Sequence, residues 1–134
     1  MKRVTPGMII GIPTSATGKM RVAKVLFCSR RYRNVILIAF SGSLSVAQEG
    51  CELVPSEFNG RRVYTGAQII RDGRWPVLGD CALTEGEENA SLRIIAGEVW
   101  LGDEHLRSAT AQDQNSLPPM DVAGAALVEK WASQ

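Results

Sequence analysis

Apolar residues in the first forty positions fall into short blocks separated by polar turns. Residues 8–13 (MIIGIP) form an apolar run that proline closes, and the small polar residues of TSATGK mark a hairpin loop. Residues 20–28 (MRVAKVLFC) alternate at first, with Met20 and Val22 to one side and Arg21 to the other. The alternation fails at Leu26-Phe27, which predicts a bulge or burial on both faces. After the basic turn SRRYRN, residues 35–40 (VILIAF) are continuously apolar and rich in β-branched side chains, as a central buried strand requires. Together the three blocks predict an antiparallel meander.

The second half is less regular. SGSLSVAQEG has the glycine and serine content of a loop, and CELVPSEF fits neither period. Residues 61–71 read as a strand interrupted at Gly66, followed by an Asp72-Gly73 turn. Residues 75–78 then predict a short edge strand. Proline has no N–H to donate to a ladder, so Pro76 suits an edge, as does Pro13. The ring of Trp75 would lock that edge onto the core. Residues 84–90 (TEGEENA) read as an acidic loop, and SLRII and EVWL flank a tight hairpin at Ala96-Gly97. Residues 107–120 are polar and end in two prolines, the pattern of a linker. Residues 121–134 predict a helix capped by Asp121, with Ala123, Leu127 and Trp131 on one stripe beside Val122 and Val128. The expected fold is mainly β (α+β): a twisted antiparallel sheet or small partly open barrel over residues 1–106, carrying one C-terminal helix.

Composition adds little until charge is considered. The 134 residues suit one core, and no apolar run is long enough to span a bilayer. Cys28, Cys51 and Cys81 form no paired framework, which places the chain in a reducing cytoplasm. The net charge of +1 is unevenly spread. Residues 1–34 hold eight basic side chains and no acid, whereas residues 80–104 hold seven acids against Arg93 alone. Either the two segments pair with each other or one of them faces a charged partner. The single histidine, His105, has no evident orienting partner, and the cysteines lack zinc spacing. Nucleophile-elbow, phosphate-loop and dinucleotide patterns do not occur. No cofactor or metal is therefore expected, and a binding protein fits better than an enzyme. Arg30-Arg31-Tyr32-Arg33 interleaves an aromatic with basic residues, which favours single-stranded nucleic acid. The modest pI of about 7.7 argues against that.

Four elements in order, PGMIIGIP, KMRVAKVL with VILIAF, RDGRWPVLGD and RIIAGEVWL, resemble the immunity protein 26 family of bacterial polymorphic-toxin and contact-dependent inhibition systems. The resemblance covers roughly residues 5–106. It implies a cytoplasmic protein without catalytic residues that binds the C-terminal domain of a cognate toxin and blocks its active site or substrate path. Many such toxins are nucleases with basic substrate surfaces, so the expected contact residues are the acids Asp80, Glu85, Glu87, Glu88, Glu98, Asp103 and Glu104. Trp100 and Tyr32 are the expected aromatic anchors. Charge reversal at Glu85, Glu87 and Glu88 is expected to weaken partner binding and leave folding intact. The competing expectation is a small β-domain that binds nucleic acid through its basic N-terminal third.

Overall fold

In a computed structural model that describes residues 3–14, 19–32, 34–46, 58, 61–118 and 122–133, the three leading apolar runs are strands. They are β1 (Met8–Pro13), β2 (Lys19–Cys28) and β3 (Val35–Val46), paired antiparallel in sequence. The ladder between β2 and β3 slips between Val25 and Phe27, where the alternation of the sequence fails, and again between Arg21 and Ala23. Next come β4 (Arg62–Gly66), α1 (Gln68–Arg71), β5 (Val77–Asp80) and α2 (Glu85–Glu88). The chain ends with β6 (Leu92–Ile95), β7 (Glu98–Leu101), β8 (Glu104–Ser108), α3 (Ala111–Ser116), β9 (Val122–Ala123) and α4 (Ala125–Ala132). The main sheet has the order β5-β1-β2-β3-β4-β9, and β6-β7-β8 form a second, smaller sheet. The fold is mainly β, with a C-terminal helix and no closed barrel.

Side chains on a strand point alternately to opposite faces, so β3 contributes to two cores. Ile36, Ile38 and Phe40 join Ile10, Ile12, Val25 and Val63 on one face, where Trp75, Ile70, Val128 and Ala132 cover them. Leu37 and Ala39 join Ile9, Val22, Leu26 and Tyr64 on the other. Each of the valine, leucine, isoleucine and phenylalanine side chains among these, fully buried, contributes about 1.5–3 kcal/mol. Arg21, on the helix side, donates from Nε to the Ala132 carbonyl at 3.0 Å and from Nη1 to the Ser41 carbonyl at 3.1 Å. This ties the end of α4 to the sheet and places a cation at the negative end of the helix. On the opposite face lies Arg93 of β6, wholly buried. Its guanidinium carbon is 5.4 Å from the centroid of Phe27 and 5.5 Å from that of Tyr64. Arg93 Nη1 donates to the carbonyls of Ser91 and Gly102 within the small sheet, so a guanidinium anchored there reaches Phe27 and Tyr64 of the large one.

The stretch DGRWPVLGD supplies the expected turn, buried ring and edge strand, but the strand is Val77–Asp80 rather than residues 75–78, with Trp75 and Pro76 leading into it. Gly73 takes a positive φ of 80° in the turn, and Trp75 is fully buried. Trp75 donates from Nε1 to Glu129 of α4 at 3.3 Å. Pro76 stands immediately before β5, an edge strand, and its carbonyl accepts the Gly11 N–H at 2.9 Å. The Ala96-Gly97 hairpin also forms, with both residues at positive φ as a tight turn of this hand requires.

Elsewhere the structure corrects the expectation. SGSLSV continues β3 instead of forming a loop, because β2 is long enough to pair with it as far as Lys19. Residues 68–71 form a helical turn instead of extending β4. The sheet is mixed, since β9 runs parallel to β4. The stretch read as an acidic loop holds α2, and the stretch read as a linker holds the end of β8 and α3. Both short helices start with a capping box, Thr84 with Glu87 and Thr110 with Asp113. In the C-terminal segment Val122 and Ala123 are strand, and α4 starts after Gly124. Its buried side is Val128 and Ala132, whereas Leu127 is exposed. Asp121 and most of CELVPSEF lie outside the described residues.

Candidate interaction surface

The basic turn after β2 does not project freely. Ser29 Oγ donates to Asp103 Oδ1 at 2.7 Å, and the Arg30 N–H donates to Asp103 Oδ2 at 2.6 Å. The Tyr32 N–H in turn donates to Ser29 Oγ at 2.9 Å. Burial pushes the Asp103 carboxyl up. The hydrogen bonds from Arg30 and Ser29 outweigh that and hold it below its ordinary value of 3.8. Asp103 sits at the turn between β7 and β8, so one carboxylate joins the N-terminal meander to the small sheet.

Next to this joint, charged and aromatic groups stack. The Arg31 guanidinium carbon lies 4.7 Å from the Trp100 ring centroid and 5.7 Å from that of Tyr32. Trp100 meets the His105 ring at 5.2 Å in an edge-to-face arrangement with 70° between planes. His105 Nε2 is 3.1 Å from Glu98 Oε2, and Ser108 Oγ donates to Glu98 Oε1 at 3.3 Å. The hydrogen bonds from His105 and Ser108 hold the Glu98 carboxyl below its ordinary value of 4.5. Tyr32, Trp100, Glu98 and Asp103 are thus gathered at one place, with Glu104 opposite Leu101 in the same small sheet. Trp100 and Tyr32 are half-buried, while Arg30, Arg31 and Glu104 are exposed.

The remaining acids divide. Asp80, Glu85 and Glu88 are exposed. Glu87 turns inward to Lys24 of β2, whose ammonium lies 2.7 Å from Glu87 Oε1, with side-chain exposures of 0% for Lys24 and 9% for Glu87. Lys24 also donates to the Ala82 carbonyl at 2.9 Å and stands 6.0 Å from the Phe58 ring centroid. Burial pushes Glu87 up. The Lys24 hydrogen bond, the Thr84 N–H and the Lys24 charge outweigh it, and the carboxyl rests below 4.5. Charge reversal at Glu87 would leave a buried lysine facing a like charge, so the expectation that folding survives that change is corrected. The basic and acidic segments therefore do meet, at Lys24–Glu87 and at the Asp103 joint.

Sequence reasoning passed over the buried role of Lys24 and the partner of His105, and it read Arg31 as a nucleic-acid contact rather than as a stacking partner of Trp100. Lys24 had a signal. It lies between Val22 and Leu26 on one face of β2, where a lone charge among core positions calls for a buried partner. Thr84-x-x-Glu87 had one too, the capping-box spacing. Among the described residues no group of three or more His, Cys, Asp or Glu side chains is placed to hold a metal ion. No described helix is long and apolar enough to cross a membrane. Comparison with protein-family models, with curated proteins and with solved structures gives no match.

Proposed function

We propose that the chain is a non-catalytic inhibitor of the immunity type, which binds the C-terminal domain of a cognate toxin in the cytoplasm and obstructs its active site or substrate path. The observation that supports this reading is the Tyr32–Arg31–Trp100–His105 cluster. Tryptophan, tyrosine and arginine carry a large share of binding energy at protein interfaces. Here they are ordered before any partner arrives, since Asp103 holds the turn and His105 and Arg31 hold the indole. Groups fixed in advance lose less entropy on binding. The exposed carboxylates of Asp80, Glu85, Glu88 and Glu104 suit the basic substrate surface of a nuclease and would speed encounter with it. Glu87 and Asp103 serve the scaffold that presents them.

The test is affinity capture with the tagged chain in cells that encode it, followed by co-expression with whatever stoichiometric protein is recovered. The expected result is a protein whose toxicity the chain relieves, with binding weakened at least tenfold by Trp100→Ala. Relief that survives Trp100→Ala unchanged refutes the role of the cluster. Failure to recover any partner whose toxicity is relieved refutes the immunity reading. The exposed Arg30 and Arg31 beside Tyr32 support a second reading, single-stranded nucleic-acid binding. That reading requires affinity for oligonucleotides that falls steeply with salt and is lost on Arg30→Glu, Arg31→Glu substitution.

A further inference from the structure

Where the segment before β1 passes the end of β2, the start of β3 and α1, the chain encloses a cavity of about 430 Å³. Its polar walls are Arg3 and Thr5 before β1, Cys28 and Arg30 at the end of β2, Asn34 before β3, and Arg71 at the end of α1. Asn34 turns the chain with a positive φ of 65°, a conformation that asparagine tolerates. Its carbonyl accepts the Ala67 N–H at 2.7 Å, and its Oδ1 accepts from Arg71 Nη1, so α1 is held against the start of β3. On the other side, Cys28 Sγ donates to the Val4 carbonyl at 3.4 Å and ties the N-terminal segment to β2.

The charge on these walls is of one sign. Arg3, Arg30 and Arg71 line the space, and among the described residues no acidic side chain does. Asp103, which accepts from Ser29 and the Arg30 N–H, is not one of the walls. Arg74 and Arg107 each pair with a carboxylate, whereas Arg71 is held by the neutral amide of Asn34. Among the described residues, the guanidiniums of Arg3 and Arg30 make no hydrogen bond or ion pair. The Cys28 thiol does not balance them. Burial pushes it up to about 11 although the charges of Arg3 and Arg71 both pull it down. It is therefore a neutral thiol at neutral pH, and both cations lie close enough to act on it. Cations of one sign around a recess concentrate the field there and favour an anion.

From three arginines that separate elements bring to one cavity, with Thr5 beside them and no carboxylate on its described walls, we propose that this cavity binds a phosphate group, free or as a small monoester. A guanidinium meets phosphate oxygens with paired N–H groups. A phosphate presents oxygens in several directions, so donors on three walls can hold it at once, whereas a carboxylate presents two oxygens in one plane. Its second negative charge also suits three cations that share no counter-ion. The volume falls within the roughly 300–1,000 Å³ of small-ligand sites. Pro6, Val35 and Ile36 add apolar wall, which leaves a place for the organic part of an ester. The Trp131 ring and the edge of β4 take no part, and the site does not depend on the inhibitor reading.

The test is amide NMR titration of the full chain with inorganic phosphate, phosphoserine and acetate, at an ionic strength held constant with chloride. The expected result is saturable shifts at Thr5, Ser29, Asn34 and Ala67, with Kd below about 5 mM for at least one of the two phosphates. Tighter binding of phosphoserine identifies the ligand as an ester, and tighter binding of inorganic phosphate identifies it as the free ion. Arg3→Glu and Arg30→Glu should each weaken binding at least tenfold with an unchanged melting temperature, since both side chains are exposed. Absence of saturable shifts with both phosphates up to about 50 mM overturns the proposal, as does full affinity in both variants. Equal affinity for acetate overturns the choice of phosphate over carboxylate. Shifts produced by a single-stranded oligonucleotide and by neither small phosphate assign the arginines to the nucleic-acid reading and overturn the cavity site.

Discussion

Glu87→Gln isolates the charge of the Lys24–Glu87 pair from everything else that side chain does. Glutamine has the same shape and still fits a Thr-x-x-Gln capping box, so the start of α2 is preserved. What is lost is the anion beside a lysine that is 0% exposed and whose one other hydrogen bond, among the described residues, goes to the Ala82 carbonyl. Removing one partner of a buried pair costs about 3–5 kcal/mol, because the remaining charge is stranded away from water. Glu87 keeps 9% exposure, so water can reach the site and the low end, about 3 kcal/mol, is expected. Against a typical total of about 5–15 kcal/mol this is a large fraction. Urea unfolding at pH 7 should show a lower midpoint with an unchanged slope. The double variant Lys24→Met, Glu87→Gln should recover much of the loss, since the stranded charge is gone. The folded carboxyl rests below its ordinary 4.5. The pair therefore contributes fully above about pH 4.5, and its contribution is lost as pH falls through the lower folded value. Glu87→Gln should lack that acid-sensitive component. A Glu87→Gln midpoint equal to that of the parent would refute the reasoning.

Three further outcomes follow from the packing. Trp75→Ala, at a wholly buried ring, should cost about 3–5 kcal/mol, read as a fall in urea midpoint, and an unchanged midpoint would remove its role as edge anchor. Asp103→Ala should cost about 1.5–2 kcal/mol, the lower part of the range for charged hydrogen bonds because the site is half-buried. Faster amide exchange at Arg30 and Tyr32 is its signature, and unchanged exchange there would show that the carboxylate does not hold the turn. Burial raises the Cys28 thiol from 9.0 to about 11, which leaves about a hundredfold less thiolate at pH 8 than in the unfolded chain. Alkylation mapped by mass spectrometry should be correspondingly slow at Cys28 in the native protein, and equal rates in native and unfolded protein would contradict that.

What the sequence determined by itself is the set of relations carried by near neighbours. VILIAF has no polar position to turn toward water, so it must be covered on both faces, and it is. The failed alternation at Leu26-Phe27 required a register slip, and Asp72-Gly73, Pro76 and Ala96-Gly97 fixed a turn, an edge and a hairpin through backbone geometry alone. The capping boxes at Thr84 and Thr110 were equally local and could have been read from their spacing. Pairings across distant sequence were decided only in three dimensions. β2 delivers Lys24 to one face at the height where α2 ends its first turn, and that converts Glu87 from a surface acid into a buried counter-ion. The Asp103 turn lies against Ser29 and Arg30 because the small sheet packs over Phe27 and Tyr64 around Arg93. The physical reason is the difference in range. Turn and strand preferences are set within a few residues, whereas the fate of a charge depends on what lies within a few ångströms after folding, however far away along the chain.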